Sequence, residues 1–390
     1  MAPSADVIII GGGVVGCSIA EILREYMDHI YLIEAAPMLG LGASSAAIGG
    51  ITPQSGDFCL GPLGIIAERS RDLYPAWLRR ISQEAQLEIP VLSTGQLQIA
   101  LDMPELSRIH EQIIPKLAER GVMAYPLSKR QLLAEEPLVT NDALGGMLLP
   151  DELAIEPRLL MQALSGILLS DERVGVLLST KATEVAAKEE VIEVSLADGT
   201  TLCAEKVVVA AGYLSNTLLP LPGEVVFPVK GQALEFAPQR HGGQRLHRQC
   251  YARTPAEGGW RTAYAVPRLD GRITAGVTYE PGIADTVPTR RGRESIMASV
   301  SSLLPSSSRW SISGHWAGIR PASSDGTPLV GRIDADGRVV VATGHYGLGI
   351  TLAPVTAEHV VTLLTGEETD EDRGIEMKAC DPARFDIVAG

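Results

Sequence analysis

The sequence predicts an α/β protein, α+β overall: a parallel-sheet domain with a second, largely antiparallel β domain interleaved through it. Three observations predict this. Unbroken apolar runs, as in strands buried on both faces, recur far apart at Val7-Ile-Ile-Ile10, Lys206-Val-Val-Val-Ala-Ala-Gly212 and Arg338-Val-Val-Val-Ala-Thr343. The first and last of these lead through glycine-rich turns into helical periodicity. From 225 onward the pattern changes to short strands separated by turns.

The elements follow in order. The strand at Val7–Ile10 meets Gly11-Gly-Gly13-Val14-Val15-Gly16. Gly11 permits the tight turn, Gly13 lets backbone approach a pyrophosphate, and Gly16 lets a helix over 14–27 pack on the sheet. That helix turns its free N–H groups and positive dipole end toward the phosphates. A second strand over 29–33 ends at Glu34, 18 residues after Gly16, where a carboxylate hydrogen-bonds an adenosine ribose. This is a Rossmann-type dinucleotide fingerprint. It does not choose between NAD and FAD, though Glu34 disfavours the extra phosphate of NADP.

The Gly/Ala/Ser-rich loop 39–54 allows close backbone approach to a ligand. Helices are predicted over 62–83, 104–120 and 156–169, with a strand over 96–101. Strands 180–188 and 190–196 pair, with Asp198-Gly199 as the next turn. Strands follow over 225–236, 248–253, 262–266 and 272–278, with an Asp270-Gly271 hairpin. A helix over 289–304, a strand over 310–319, the glycine-rich 344–349 and a helix over 350–365 complete the chain. The chain thus divides into a cofactor domain (1–84, 150–222, 318–366), a substrate domain (85–149, 223–317) and a C-terminal tail (367–390). Ligands in such folds sit beyond the carboxyl ends of the parallel strands, between the domains.

A length of 390 residues suits two or three domains, and 45% hydrophobic residues suffice for full cores. A net charge of −14 argues against nucleic acid or an anionic membrane as a main partner. The cysteines, at 17, 59, 203, 250 and 380, are scattered and odd in number. That spacing suits a reducing compartment and disfavours a zinc, iron–sulfur or disulfide framework. No signal peptide or stretch of transmembrane length is evident, so the cytoplasm is the expected location. The acidic run Glu367, Glu368, Asp370, Glu371, Asp372 reads as a solvated tail.

A set of motifs in fixed order carries a resemblance. They are the N-terminal fingerprint, Ser45-Ala-Ala-Ile-Gly-Gly50, Val207-Val-Val-Ala-Ala-Gly212 and Pro228-Val-Lys-Gly-Gln232. Gly318-Ile-Arg-Pro-Ala-Ser-Ser-Asp-Gly-Thr-Pro-Leu-Val-Gly331 and Gly344-His-Tyr-Gly-Leu-Gly-Ile-Thr-Leu-Ala-Pro354 complete it. The chain resembles the amine-oxidising flavoenzyme family of D-amino-acid, sarcosine and glycine oxidases, nearest its glycine-oxidase-like and D-amino-acid-dehydrogenase-like members. The resemblance implies noncovalent FAD. It implies that Gly11, Gly13, Val14, Val15 and Gly16 hold the pyrophosphate, and that Glu34 with Ala35 meets the ribose. Ser44, Ser45, Ala46, Ala47, Gly49 and Gly50 line the flavin side, and Gly318 and Arg320 border the cofactor. Ala182 offers backbone to the adenine side, and Ala211 and Gly212 bound the cofactor from the sheet. Gly347, Leu348, Gly349, Ile350 and Thr351 bring backbone N–H groups to the flavin pyrimidine. A helix N-terminus there stabilises the negative charge of reduced flavin.

By the same resemblance, Arg320 grips a substrate carboxylate through its two-pronged guanidinium. Tyr264 shares that carboxylate, and Tyr279 stands where glycine oxidase has a pocket methionine. Gly347 replaces an arginine of glycine oxidase, which points to a bulkier substrate. Arg248, Arg253 and Arg261 lie on strands of the substrate domain and could bring a replacement charge. His345 reads as structural. The implied reaction is C–N oxidation of a small amino or imino acid by hydride transfer to flavin N5, giving an imine that hydrolyses. The alternatives are a 2-hydroxy-acid oxidoreductase and an FAD subunit of a multi-subunit dehydrogenase. The acceptor (oxygen, a quinone or another redox partner) and assembly into a homo-oligomer are left open.

Overall fold

The structure, a computed structural model, describes residues 4–219, 221–238, 245–256, 259–366 and 377–385. The acidic run at 367–372 lies outside the described residues. Among the described residues, one sheet carries the parallel strands. Ser4–Ile10 lies between Ile30–Ile33 and Thr201–Val209, and Val174–Leu177 extends the far edge. Thr201–Val209 changes partners along its length. Its first half pairs antiparallel with Ile192–Leu196, while Val207 to Val209 pair parallel with Val339 to Val341. An apolar core covers each face of its end, one taking Val208 and the other Val207 and Val209, so all three are buried. Helices Val14–Leu23, Pro62–Ala85, Pro157–Ser170 and Gly349–Thr365 pack together over one face in a single apolar core.

The second sheet is largely antiparallel. Val226–Phe236 pairs with Ile312–Ser323, Ile273–Gly276 and Glu280–Pro281. Gly259–Pro267 and Gln249–Ala256 continue it to Gln96–Ala100, Gly145–Leu149 and Tyr125–Ser128. Helix Arg290–Leu303 is capped by Thr289, whose hydroxyl accepts the Gly292 N–H at 3.1 Å. It buries Ile296, Val300 and Leu303 against this sheet. A small third sheet, Gly50–Ile51 with Leu153–Ile155 and Val91–Leu92, lies between the two.

Four expectations need correction. The helix predicted over 14–27 ends at Leu23. Asp28 and His29 donate their N–H groups to the Asp6 carboxylate at 3.0 and 2.9 Å, which pulls the chain into the next strand. The helix over 104–120 is instead Met103–Ser107, a wide π-turn Arg108–Ile113, and Ile114–Glu119. Pro115 supplies no N–H and crowds the preceding turn, so the wide turn precedes it. The strand over 310–319 is Ile312–Ser323 and lies in the antiparallel sheet throughout, so the domain boundary we propose moves from 318 to about 324. Tyr346–Thr365 is long and apolar enough to cross a membrane, with a mean hydropathy of 1.4. It is a core helix instead, packed on Val14–Leu23 and Pro62–Ala85.

Candidate active site

The ends of three parallel strands converge at Gly11, Ala211 and Gly344. Ala210 N–H donates to the Ile10 carbonyl at 2.8 Å, and Gly11 N–H to the Ile33 carbonyl at 2.8 Å. Gly11 has φ +115°, and a Cβ there would run into the Ala210 carbonyl. A Cβ on Gly16 would run into the Gly11 carbonyl, so the helix sits as close to the turn as backbone allows. Gly13 caps helix Val14–Leu23 with no side chain. The Val14 N–H donates to buried Ser44 Oγ at 2.9 Å, leaving the rest of the first turn to a ligand.

Glu34 is held by backbone. Its two oxygens accept the Gly12 and Ala36 N–H groups, each at 2.7 Å, across exposed Ala35. This fixes the carboxylate at the mouth of the glycine turn, where a ribose hydroxyl can share it.

The predicted flavin-side loop contains a short helix, Ala43–Ala46. Ser44 ties it to Val14, Ser45 Oγ donates to the Gly40 carbonyl at 2.6 Å, and Trp316 Nε1 donates to the Ala46 carbonyl at 2.9 Å. Gly318 packs directly on Ala46, since a Cβ there would meet the alanine methyl. Ala47 ends this helix in extended backbone. Gly49, with φ +88°, accepts the Ile155 N–H at 2.9 Å through its carbonyl. Gly50 is backed by the Tyr264 hydroxyl, which a Cβ would strike. Ala182 is buried at a register irregularity of its strand. Gly212, with φ +58°, has open space on its Cβ side, and its carbonyl accepts Thr343 Oγ1 at 2.8 Å.

Helix Gly349–Thr365 starts at Leu348 with no side-chain cap. Of the five residues expected to offer N–H groups here, Leu348 is removed, because its N–H donates to the His345 carbonyl at 2.9 Å. Thr351 Oγ1 reaches the Gly50 carbonyl at 3.3 Å, joining the helix to the flavin-side loop. Gly347 does not adopt a left-handed conformation, and a Cβ on it would meet nothing within 4 Å. The left-handed residue is its neighbour Tyr346, at φ +49°.

Tyr346 is what sequence reasoning missed. Its ring centroid lies 5.5 Å from the Arg320 Cζ, and Tyr279 packs edge-on against it at 6.4 Å. Arg320 lies within its strand, paired with Val229, rather than at a strand end. Its side chain lies over Gly231, where a Cβ would displace the guanidinium. Nη1 donates to the Thr278 carbonyl at 3.1 Å. Among the described residues no carboxylate comes within 4 Å of it. Burial draws its pKa below the usual guanidinium value, partly opposed by Tyr346 and Glu280. A guanidinium so placed is short of an anion.

Tyr264 is placed differently. Its hydroxyl donates to Gln249 Oε1, and Gln249 Nε2 donates to the Leu153 carbonyl at 2.9 Å. The structure gives it a tie to Gly50 and Gln249 rather than a contact with Arg320. Burial pushes its phenol well up, with Glu152 adding to the effect, so it stays protonated. Tyr279 is 64% exposed, at the rim.

His345 is buried, with Nε2 3.1 Å from Thr356 Oγ1, and burial alone lowers its pKa to about 4. The unfolded chain therefore takes up a proton between about pH 6.5 and 4 that the native state refuses, so stability rises with pH across that window. Tm should fall as pH drops from 7 to 5. His345→Gln should flatten that limb in a thermal melt series, and an unchanged slope would clear His345 of the effect.

The residues fit a dinucleotide. Two side-chain-free turns, two uncapped helix N-termini and a backbone-held carboxylate surround one cleft. A family model for FAD-dependent oxidoreductases, DAO, matches residues 6–363. The glycine oxidase of Bacillus subtilis is 26% identical over 94% of this chain and 95% of its own length. The bifunctional protein ThiO/ThiG of Synechocystis is 28% identical over 99% of this chain, which spans 55% of that protein. The crystal structure of glycine oxidase from Geobacillus kaustophilus superposes with a TM-score of 0.88 at 26% identity, covering 98% of this chain and 99% of that one. Cradle geometry, family match and fold agree on the cofactor: the chain belongs to the DAO family of FAD-dependent oxidoreductases.

Proposed function

We propose that the enzyme oxidises the C–N bond of a small amino or imino acid larger than glycine. The observation that carries this reading is Arg320: a half-buried guanidinium, flanked by Tyr346 and with no carboxylate within 4 Å among the described residues, on the strand that packs against the flavin-side loop. Bound FAD supplies the two-electron acceptor for the substrate's α C–H bond. The chain supplies orientation. Arg320 takes the carboxylate in two parallel hydrogen bonds, Tyr346 fixes the guanidinium plane, and the strand edge at Thr278 holds its other side. Tyr264 stiffens Gly50 from behind. No side-chain base is required of the site, since the cofactor carries the chemistry. Relatives named glycine oxidase support the substrate class. Oxygen or a quinone-type redox partner serves as acceptor. The five cysteines, present as thiols, support a cytoplasmic location.

The purified protein should be yellow and release FAD on denaturation. A colourless protein that binds NAD(H) but not added FAD would sink this reading. Anaerobic flavin bleaching against D-, L- and N-methyl amino acids, with 2-hydroxy acids beside them, tests the chemistry. Faster bleaching by the hydroxy acids would reassign it. The open space at Gly347 predicts that D-proline and sarcosine reduce the flavin better than glycine. Gly347→Arg should fold normally and shift preference toward glycine by about tenfold, the scale of one lost fit in a pocket. If glycine is already the best reductant by a wide margin, the open space carries no information on substrate size.

A further inference from the structure

Beyond Arg320 the cleft opens into a cavity of about 850 Å³. Thr278 and Tyr346, which hold the Arg320 guanidinium, are also part of its wall, so the cavity begins where the carboxylate anchor ends. Arg261 and Arg291 line it, as do Glu280 and Glu294. The acids are engaged. Glu280 Oε1 accepts Gln232 Nε2 at 2.7 Å and Thr278 Oγ1 at 2.6 Å, and Glu294 accepts Arg290 Nε at 2.7 Å. Among the described residues neither Arg261 nor Arg291 has an ion-pair partner within 4 Å. Both are exposed, whereas the more buried Arg24, Arg120, Arg248 and Arg272 all find carboxylates. Of the three arginines expected to bring a replacement charge, Arg248 is held by Glu135 at 2.8 Å, whereas Arg261 faces the cavity.

We propose that the substrate is an amino dicarboxylate, its α-carboxylate on Arg320 and its second carboxylate in the cavity with Arg261 and Arg291. The inference rests on the amino-acid reading above and narrows it. The cavity is too large for a methyl or ring substituent alone, and its two guanidinium groups outnumber the one lining acid, Glu280, that meets only neutral donors. A neutral side chain would leave both guanidinium groups to water. A distal carboxylate takes charge-assisted hydrogen bonds from them, and the cationic wall speeds capture of a dianion at low salt.

The test uses the full-length, FAD-loaded protein. Anaerobic flavin reduction is measured with aspartate, glutamate and N-(carboxymethyl)glycine against asparagine, glutamine and sarcosine, in both D and L forms where these exist. Succinate and propionate, which carry no amine, are titrated against the flavin absorbance spectrum as a binding readout separate from turnover. The expected result is a higher kcat/KM for a dicarboxylate than for its neutral counterpart, and tighter binding of succinate than of propionate. In the Arg261→Gln/Arg291→Gln double variant both ratios should fall about tenfold, the effect of roughly one charge-assisted hydrogen bond. Lysine at both positions should restore most of it. Reduction by neutral amino acids with no dicarboxylate preference, or ratios unmoved in the double variant, would overturn the inference and leave the amino-acid reading standing. No bleaching by any amine would overturn both.

Discussion

Arg320→Lys should leave the protein yellow and folded while substrate affinity collapses. Lysine offers a point charge where the site is built for a planar fork. Its shorter reach also loses the Tyr346 face and the Thr278 carbonyl together. One bidentate pair becomes at best a single bond, at a cost on the order of 1.5–3 kcal/mol, or roughly ten- to more than a hundredfold in the concentration needed for half-maximal flavin reduction. Stopped-flow reduction at increasing substrate gives the number directly. Wild-type saturation in the variant would show that another group holds the carboxylate, and the double arginine of the cavity wall would be the place to look.

Gly11→Ala should cost the cofactor itself. Two penalties fall on one methyl group. The backbone at φ +115° is one that L-residues rarely adopt, and the new Cβ points into the Ala210 carbonyl. Strain of this kind and overpacking each cost about 1–3 kcal/mol. Relief requires the strand end and the helix start to part, which moves the N–H groups that we propose hold the pyrophosphate. The ratio of flavin to protein absorbance after purification should drop severalfold, with a lower Tm. Full flavin occupancy would place the pyrophosphate elsewhere.

Much of the cofactor half was legible because its requirements are local. Gly11, Gly13 and Gly16 each answer a condition set within six residues, and the short β-branched runs at 7–10 and 207–209 are the double-covered strands their composition favours. The arginine we propose as carboxylate anchor was singled out through resemblance alone. Its surroundings were not. Tyr346 supports Arg320 from a left-handed backbone, a conformation for which an aromatic side chain gives no local signal. Tyr264 was expected beside the carboxylate, but Gln249 takes its hydroxyl, a pairing set by the register of two antiparallel strands rather than by either sequence. Pro115 did mark the break in the helix over 104–120, though a periodic apolar pattern continues across it. The contents of the cavity wall depend on which arginines find carboxylates across the fold, and that is a property of the assembled chain.

The parallel sheet also sets a timetable. Ser4–Ile10 emerges from the ribosome first, yet its neighbour Thr201–Val209 comes some 200 residues later, and the strand that completes the row is Val339–Thr343. Helix Gly349–Thr365, which closes on Val14–Leu23, comes later still. At ordinary synthesis rates the first strand waits on the order of half a minute for its last partner. During that interval an apolar strand edge is exposed, so the nascent chain is a natural client for chaperones. A message truncated before 339 yields a chain that cannot close the nucleotide cleft.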